Sequence, residues 1–292
     1  MRNNKSIEAP AKCPICGAAS VYYCLRTPAN YFRCPQCETI FQHPLPTVER
    51  MMEYADQEYA EGLYEEYVQA RDLKYLTFCK RMASIESRSQ GTRVVDIGCA
   101  CGYFIEVALE HGFDAYGIEF SSVAIASASE QVRSRIIQQD VNQLDTKHRH
   151  SFDLVTAFDV IEHTLEPIKF LVNSRSLLKS RGLLVITTPD VGHFLRRVMR
   201  NGWPMLQPFQ HTVLFSSGSL RAALERGGYT DIEILPAKKV LTPDYLVTQI
   251  EQYNPFIARA YNALSGVLPA KLRQLPVSIN IGEIMAFARS GD

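Results

Sequence analysis

The chain has 292 residues, 46% hydrophobic and 21% charged, enough for one full α/β domain plus a small module and unlike a disordered chain. Its 31 basic and 31 acidic side chains give a formal charge of zero, which argues against a dedicated nucleic-acid binder, since neutralising phosphates needs a basic surface. No run of about 18 apolar residues marks a membrane span, and the polar start MRNNKSIEAPAK lacks the apolar stretch of a secretory signal, so a cytoplasmic protein is expected.

Residues 1–46 read as a zinc ribbon. Cys13-Pro-Ile-Cys16 and Cys34-Pro-Gln-Cys37 are two CPxC knuckles of the same form. Each brings two thiolates to one ion from a tight turn, and the pair completes a tetrahedral four-thiolate site with no open position, hence a structural zinc. Val21, Tyr22, Tyr23, Tyr31 and Phe32 between the knuckles suit a small hairpin. A module this small needs such a staple to fold.

Residues 47–90 read as a helical connector or arm. Leu73, Leu76, Cys79, Met82 and Ile85 recur at close to helical spacing, after a stretch holding Tyr54, Tyr59, Tyr64 and Tyr67 among acidic residues. From Gly91 onward strand and helix signals alternate, and residues 91–292 are expected to form the α/β domain. Strands are predicted at Arg93 to Ile97, Ala115 to Phe120, Arg135 to Gln139, Phe152 to Phe158, Leu183 to Thr188, Ile232 to Leu235 and Glu283 to Ala288. Helices are predicted around Phe104 to Leu109, from Ser122, at Pro167 to Leu178 and at Ser219 to Arg226. Such alternation implies a Rossmann-like seven-stranded sheet, largely parallel, with helices on both faces. A helical insertion at about residues 243–273, rich in apolar residues such as Tyr245, Tyr253, Phe256 and Leu264, separates the last two strands. It is open to reading as a pocket cap, a dimer contact, a peripheral membrane contact or plain core.

The chemistry is concentrated where the first strand of that domain ends, at Val94-Val-Asp96-Ile-Gly98-Cys-Ala100-Cys-Gly102-Tyr-Phe104. A buried strand runs into a turn of small residues and then a helix, so that backbone can approach a ligand closely. Cys99 and Cys101 read as small packing residues there, since CxC lacks the knuckle spacing. Acidic residues follow at later strand ends, Glu119 and Asp140. This arrangement resembles class I S-adenosylmethionine-dependent methyltransferases, whose first motif is similar to Asp96, Gly98 and Gly102 with Ala100 in place of the middle glycine. The resemblance implies S-adenosylmethionine as cofactor, with Glu119 at the ribose, Asp140 at the adenine, and Phe120 and Val141 beside them as further cofactor contacts. It also implies a cofactor contact from Phe158 in the fourth motif, Phe158-Asp-Val-Ile-Glu162-His163. A nicotinamide enzyme is the alternative for the same acids, but G-x-G-x-x-G is missing. A fold of this kind without cofactor, serving as a binding scaffold, is the other.

A hydroxyl acceptor benefits from a base. His163, just after the fourth strand, and His211, before Phe215-Ser-Ser-Gly-Ser-Leu, are the candidate catalytic residues. The order ribbon, tyrosine-rich arm, methyltransferase domain resembles proteins found with bacterial sugar and polysaccharide biosynthesis enzymes, which implies a small molecule or saccharide as acceptor. Zinc-bearing RNA methyltransferases share a ribbon too, and Arg196, Arg197, Arg200 and Lys147 to His150 keep an anionic substrate open. Asp159-Val-Ile-Glu162-His163 is also similar to an E-x-x-E-H pattern of small-RNA and ubiquinone-pathway methyltransferases that binds a divalent ion with a later histidine. That resemblance implies Asp159, Glu162, His163 and His211 as ligands of a second metal.

Overall fold

Alternation along each strand sets the two faces of the central sheet, because successive side chains point to opposite sides. In the computed structural model, which describes residues 11–51, 53, 70–141, 148–251, 259 and 269–291, the central strands follow this rule. They are β4 (Arg93–Ile97), β7 (Phe152–Phe158), β8 (Leu178–Pro189) and β11 (Val277–Ser290). Val94, Leu154, Val185 and Phe287 face one core, and Val95, Val155, Leu184 and Ala286 face the other. The first core is closed by Met82 and Ile85 of helix α1 (Arg71–Glu86) and by Phe104, Val107 and Ala108 of α2 (Tyr103–Glu110). The second is closed by Phe170 and Leu171 of α5 (Pro167–Leu177) and Leu220 and Leu224 of α7 (Ser217–Arg226).

The sheet has seven strands in the order β10-β11-β8-β7-β4-β5-β6, with β5 at Asp114–Glu119, β6 at Ile136–Gln138 and β10 at Tyr229–Leu241. Strands β8, β7, β4, β5 and β6 are parallel, and β11 enters antiparallel between β8 and β10. This is the expected Rossmann-like sheet. Strand order reverses at β4, whose neighbours are β5 and β7. Ligands of open α/β sheets bind at the carboxyl ends beside such a switch point.

A second sheet, β1-β2-β3-β9, belongs to the ribbon and to the domain at once. Strands β1 (Val21–Arg26), β2 (Ala29–Arg33) and β3 (Ile40–Gln42) come from the ribbon, while β9 (Val213–Leu214) comes from the α/β domain and pairs with β3. Ribbon residues Ile15, Cys34 and Phe41 share a core with Phe170 and Leu220.

Two expectations are revised. The inward face of α1 is Thr77, Arg81, Met82 and Ile85, and Leu76 is 39% exposed. Met82 and Ile85 face inward as expected, and beside them a buried arginine is accommodated because its charge is met by Glu283. β10 and β11 run well beyond the predicted segments, through bulges that shift register between Ala237 and Lys239. Of the insertion, α8 (Pro243–Glu251) and α9 (Ala270–Arg273) are described. Tyr253, Phe256 and Leu264 of the insertion, the arm tyrosines 54, 59, 64 and 67, and Lys147 lie outside the described residues. None of the described helices is long and apolar enough to cross a membrane.

Candidate active site

β4 ends in a left-handed turn. Gly98, Ala100 and Gly102 have φ of 67°, 49° and 78°. A Cβ at Gly98 would lie 2.7 Å from Val160 and one at Gly102 would lie 2.3 Å from Val132, so close packing as well as conformation requires glycine. Alanine at 100 holds its left-handed φ at a cost of about 1–2 kcal/mol. The turn is latched by Glu119, at the end of β5. Ala100 N donates to its Oε2 at 3.0 Å, and Phe120 N and Ser121 N donate to its Oε1 at 2.9 and 2.8 Å. A carboxylate has about four acceptor positions. Three are used here, which leaves one on Oε2 for a hydroxyl. Phe120 beside it is 62% exposed, an apolar wall at the mouth of the turn. Asp140 is exposed and Val141 half-buried just past β6. These features suit a ribose on Glu119 with an adenine between Phe120 and the end of β6.

Asp96 lies beneath the turn, 4% exposed, accepting from Thr156 Oγ1 at 2.7 Å; burial pushes its carboxyl up to about 8. Phe158 turns its ring away into an aromatic cluster, 4.9 Å from Phe104 and 5.2 Å from Phe78.

Past β7 a 3-10 turn, Ile161–His163, carries the acid–histidine pair. Glu162, His163 and His211 converge, with ligand atoms all within 4.8 Å of one another. The two imidazole rings sit 4.8 Å apart, edge to face. His211 is 7% exposed, and its Nδ1–H donates to Met205 O at 2.8 Å, which fixes the tautomer and leaves Nε2 with its lone pair. Burial pushes His211 down to about 3, and burial also lowers His163, so both rings are neutral near pH 7. His163 is the half-buried one of the pair. Glu162 is 1% exposed and accepts from Thr188 Oγ1 at 2.9 Å; burial, then the nearby Asp159, hold its carboxyl well above the usual range.

Asp159 does not join that group. Its φ is 56°, and its carboxylate accepts from Lys239 Nζ at 2.9 Å and from Thr187 Oγ1 at 3.0 Å. Lys239 also pairs with Glu283 at 3.3 Å, and Glu283 with Arg81 at 2.8 Å. Burial would raise the Asp159 carboxyl, but Lys239 and Arg81 outweigh it and hold the group well below its ordinary value. An acid already neutralised by an ammonium has little left to offer an ion. Burial and Lys239 together push the adjacent Lys74 down to about 8. Arg81, Lys239 and Glu283 carry no local motif and come from three separate elements, so the sequence offers no signal for them.

The four cysteines of the ribbon also converge. Cys13 and Cys37 Sγ are 3.5 Å apart, Cys16 and Cys34 Sγ 3.4 Å, and all four atoms lie within 4.8 Å of one another. A tetrahedron with Zn–S arms of roughly 2.3 Å has edges of about 3.8 Å, so the set fits one zinc. Gly17 and Glu38, each four residues after the first cysteine of its knuckle, take left-handed φ of 77° and 66°. Both donate their backbone N–H to that cysteine's carbonyl.

Comparison with known proteins agrees with this geometry. A family described as a methyltransferase domain matches residues 64–234, more than half of the chain. A ubiquinone biosynthesis O-methyltransferase of Rhodopseudomonas palustris is 32% identical over 121 residues, 40% of this chain and 47% of that protein. The chain thus spans about half the length of such curated relatives. Among solved structures, an S-adenosylmethionine-dependent methyltransferase of Thermotoga maritima superposes with a TM-score of 0.51 at 18% identity, covering 80% of this chain and 96% of that one. One from Archaeoglobus fulgidus superposes with 0.52 at 18% identity, covering 77% and 99%. These structures share the fold, the matched domain spans the turn, the latch and the histidine pair, and the chain belongs to the methyltransferase-domain family.

Proposed function

We propose that this chain transfers a methyl group from S-adenosylmethionine to a hydroxyl of a small molecule or glycan precursor in the cytoplasm. The observation that carries the reading is the His163–His211 pair, packed edge to face at 4.8 Å, with His163 just past the carboxyl end of β7 and Val160 before it packed against Gly98 of the turn latched by Glu119. The O-methyltransferase relatives support a hydroxyl acceptor. Glu119 would hold the ribose, and Asp140, Val141 and Phe120 the adenine. When bound, the cofactor supplies a sulfonium-activated methyl, so the protein's work is alignment, water exclusion and removal of one proton. His163, the more accessible ring, takes the hydroxyl proton as the oxygen–carbon bond forms and the carbon–sulfur bond breaks. His211, held as a neutral ring by Met205, packs on His163 and fixes its orientation. Cys13, Cys16, Cys34 and Cys37 hold a structural zinc outside the reaction.

The test is His163→Gln, assayed with a cell-extract acceptor pool and mass detection of methylated product. General-base loss predicts a fall in kcat of about 100-fold or more with the KM for S-adenosylmethionine nearly unchanged. Retained kcat contradicts the assignment.

The convergence of Glu162, His163 and His211 supports a second reading, in which these three residues hold a divalent ion that lowers the acceptor pKa. Asp159, committed to Lys239, is not among them. Chelation that spares the ribbon zinc separates the two. The base reading predicts unchanged activity, and the metal reading predicts its loss.

A further inference from the structure

The segment carrying His211 is anchored from the ribbon by one buried amide. Gln42, the last residue of β3, is 1% exposed. Its Nε2 donates to His211 O at 3.0 Å, its Oε1 accepts from Phe209 N at 3.3 Å, and its backbone N donates to Thr212 O at 2.9 Å. Tyr31, on the neighbouring strand β2 and fully buried, donates its hydroxyl to the same His211 carbonyl at 3.4 Å. From the opposite side, Thr212 N donates to Glu162 O at 2.8 Å and Thr212 Oγ1 to Thr164 O at 2.8 Å. Residues 207–212 are therefore clamped between the ribbon and the turn that bears Glu162 and His163.

An apolar side chain of similar size would fill this space as well. What the amide adds is direction: it meets a carbonyl and an N–H at once, and in a buried site each of those groups needs a partner. Phe209 within the clamped segment has a φ of 68°, a conformation that its surroundings must hold. We infer that Gln42, assisted by Tyr31, is a positioning residue of the active site, acting through the His211 backbone to keep the His211 ring against His163. This rests on the histidine-pair reading above. It gives the ribbon a part in the reaction that its thiolates do not have, and explains why the ribbon's third strand pairs with β9, the strand that closely follows His211.

The experiment is Gln42→Met in the full-length, zinc-loaded chain, with Tyr31→Phe beside it. A misplacement near 1 Å can cost on the order of 100-fold in rate. A fall in kcat of about tenfold or more is expected for Gln42→Met, with a smaller fall for Tyr31→Phe over its longer bond. The KM and calorimetric affinity for S-adenosylmethionine should stay within about twofold, because the clamp's hydrogen bonds share no partner with those of Glu119. Long-range proton–nitrogen spectra of histidine-labelled protein should show a single Nδ1–H tautomer for His211 in the parent and a mixture in the variant. A folded Gln42→Met chain with unchanged kcat and an unchanged His211 tautomer overturns the proposal. Should Gln42→Met not accumulate, Tyr31→Phe decides by the same two readouts. The tautomer signal needs no activity, so it stands even where His163→Gln removes the base reading.

Discussion

Past β7 two histidine rings and the Glu162 carboxyl lie within a few ångströms of one another, and burial is the largest influence on the charge state of each. His163 is depressed below the ordinary histidine value, so its neutral, proton-accepting form persists to lower pH than a free histidine's. As a base it loses activity only when pH falls through that lowered value. A pH profile of kcat should accordingly keep its plateau down to about pH 6.5 and drop only below it. An acid limb centred above about 6.5 would be incompatible with His163 as the base. Asp159 shows how neighbours override sequence adjacency. It lies three positions before Glu162, yet its carboxylate belongs to Lys239 of β10. The left-handed backbone at Asp159 accompanies that turn away from Glu162.

At the level of elements, the β4–turn–α2 unit is legible in the sequence because its determinants are local. A strand, five small residues and a helix start follow one another directly, and the turn needs Gly102 both for its φ of 78° and because a Cβ there would lie 2.3 Å from Val132. Gly102→Ala should destabilise the chain by about 2–4 kcal/mol, combining the left-handed penalty with overpacking. Adding Val132→Ala should restore the steric part alone, and urea denaturation of the single and double variants measures both. A neutral Gly102→Ala would contradict the packing described here. The strand ends carrying Glu119 and His163 are legible for the same local reason. The clamp on His211 is not, since β3 and β9 are strands of three and two residues that pair across most of the chain, Ile40 with Leu214. Nor is the inward face of α1, where Arg81 finds Glu283 202 positions away. Periodicity reports which residues are apolar, and a buried charge becomes acceptable only when a distant partner is known.

For the whole molecule, the ribbon shares a sheet and a core with the domain, so the two should melt together. One zinc per chain is expected by metal analysis. Cys34→Ser should lower a single cooperative transition, where an independent ribbon would give a separate early one. Two transitions in calorimetry would show that the shared sheet does not couple them. In the proposed function, the acceptor position left on Glu119 takes a ribose hydroxyl of the cofactor. The most direct test of this assignment is calorimetric titration of S-adenosylmethionine into the parent chain and into Glu119→Ala. Binding at one site per chain is predicted, weakened in the variant by about 1–3 kcal/mol for hydroxyl donors left unpaired. No binding by the parent, or equal affinity in the two, would contradict it.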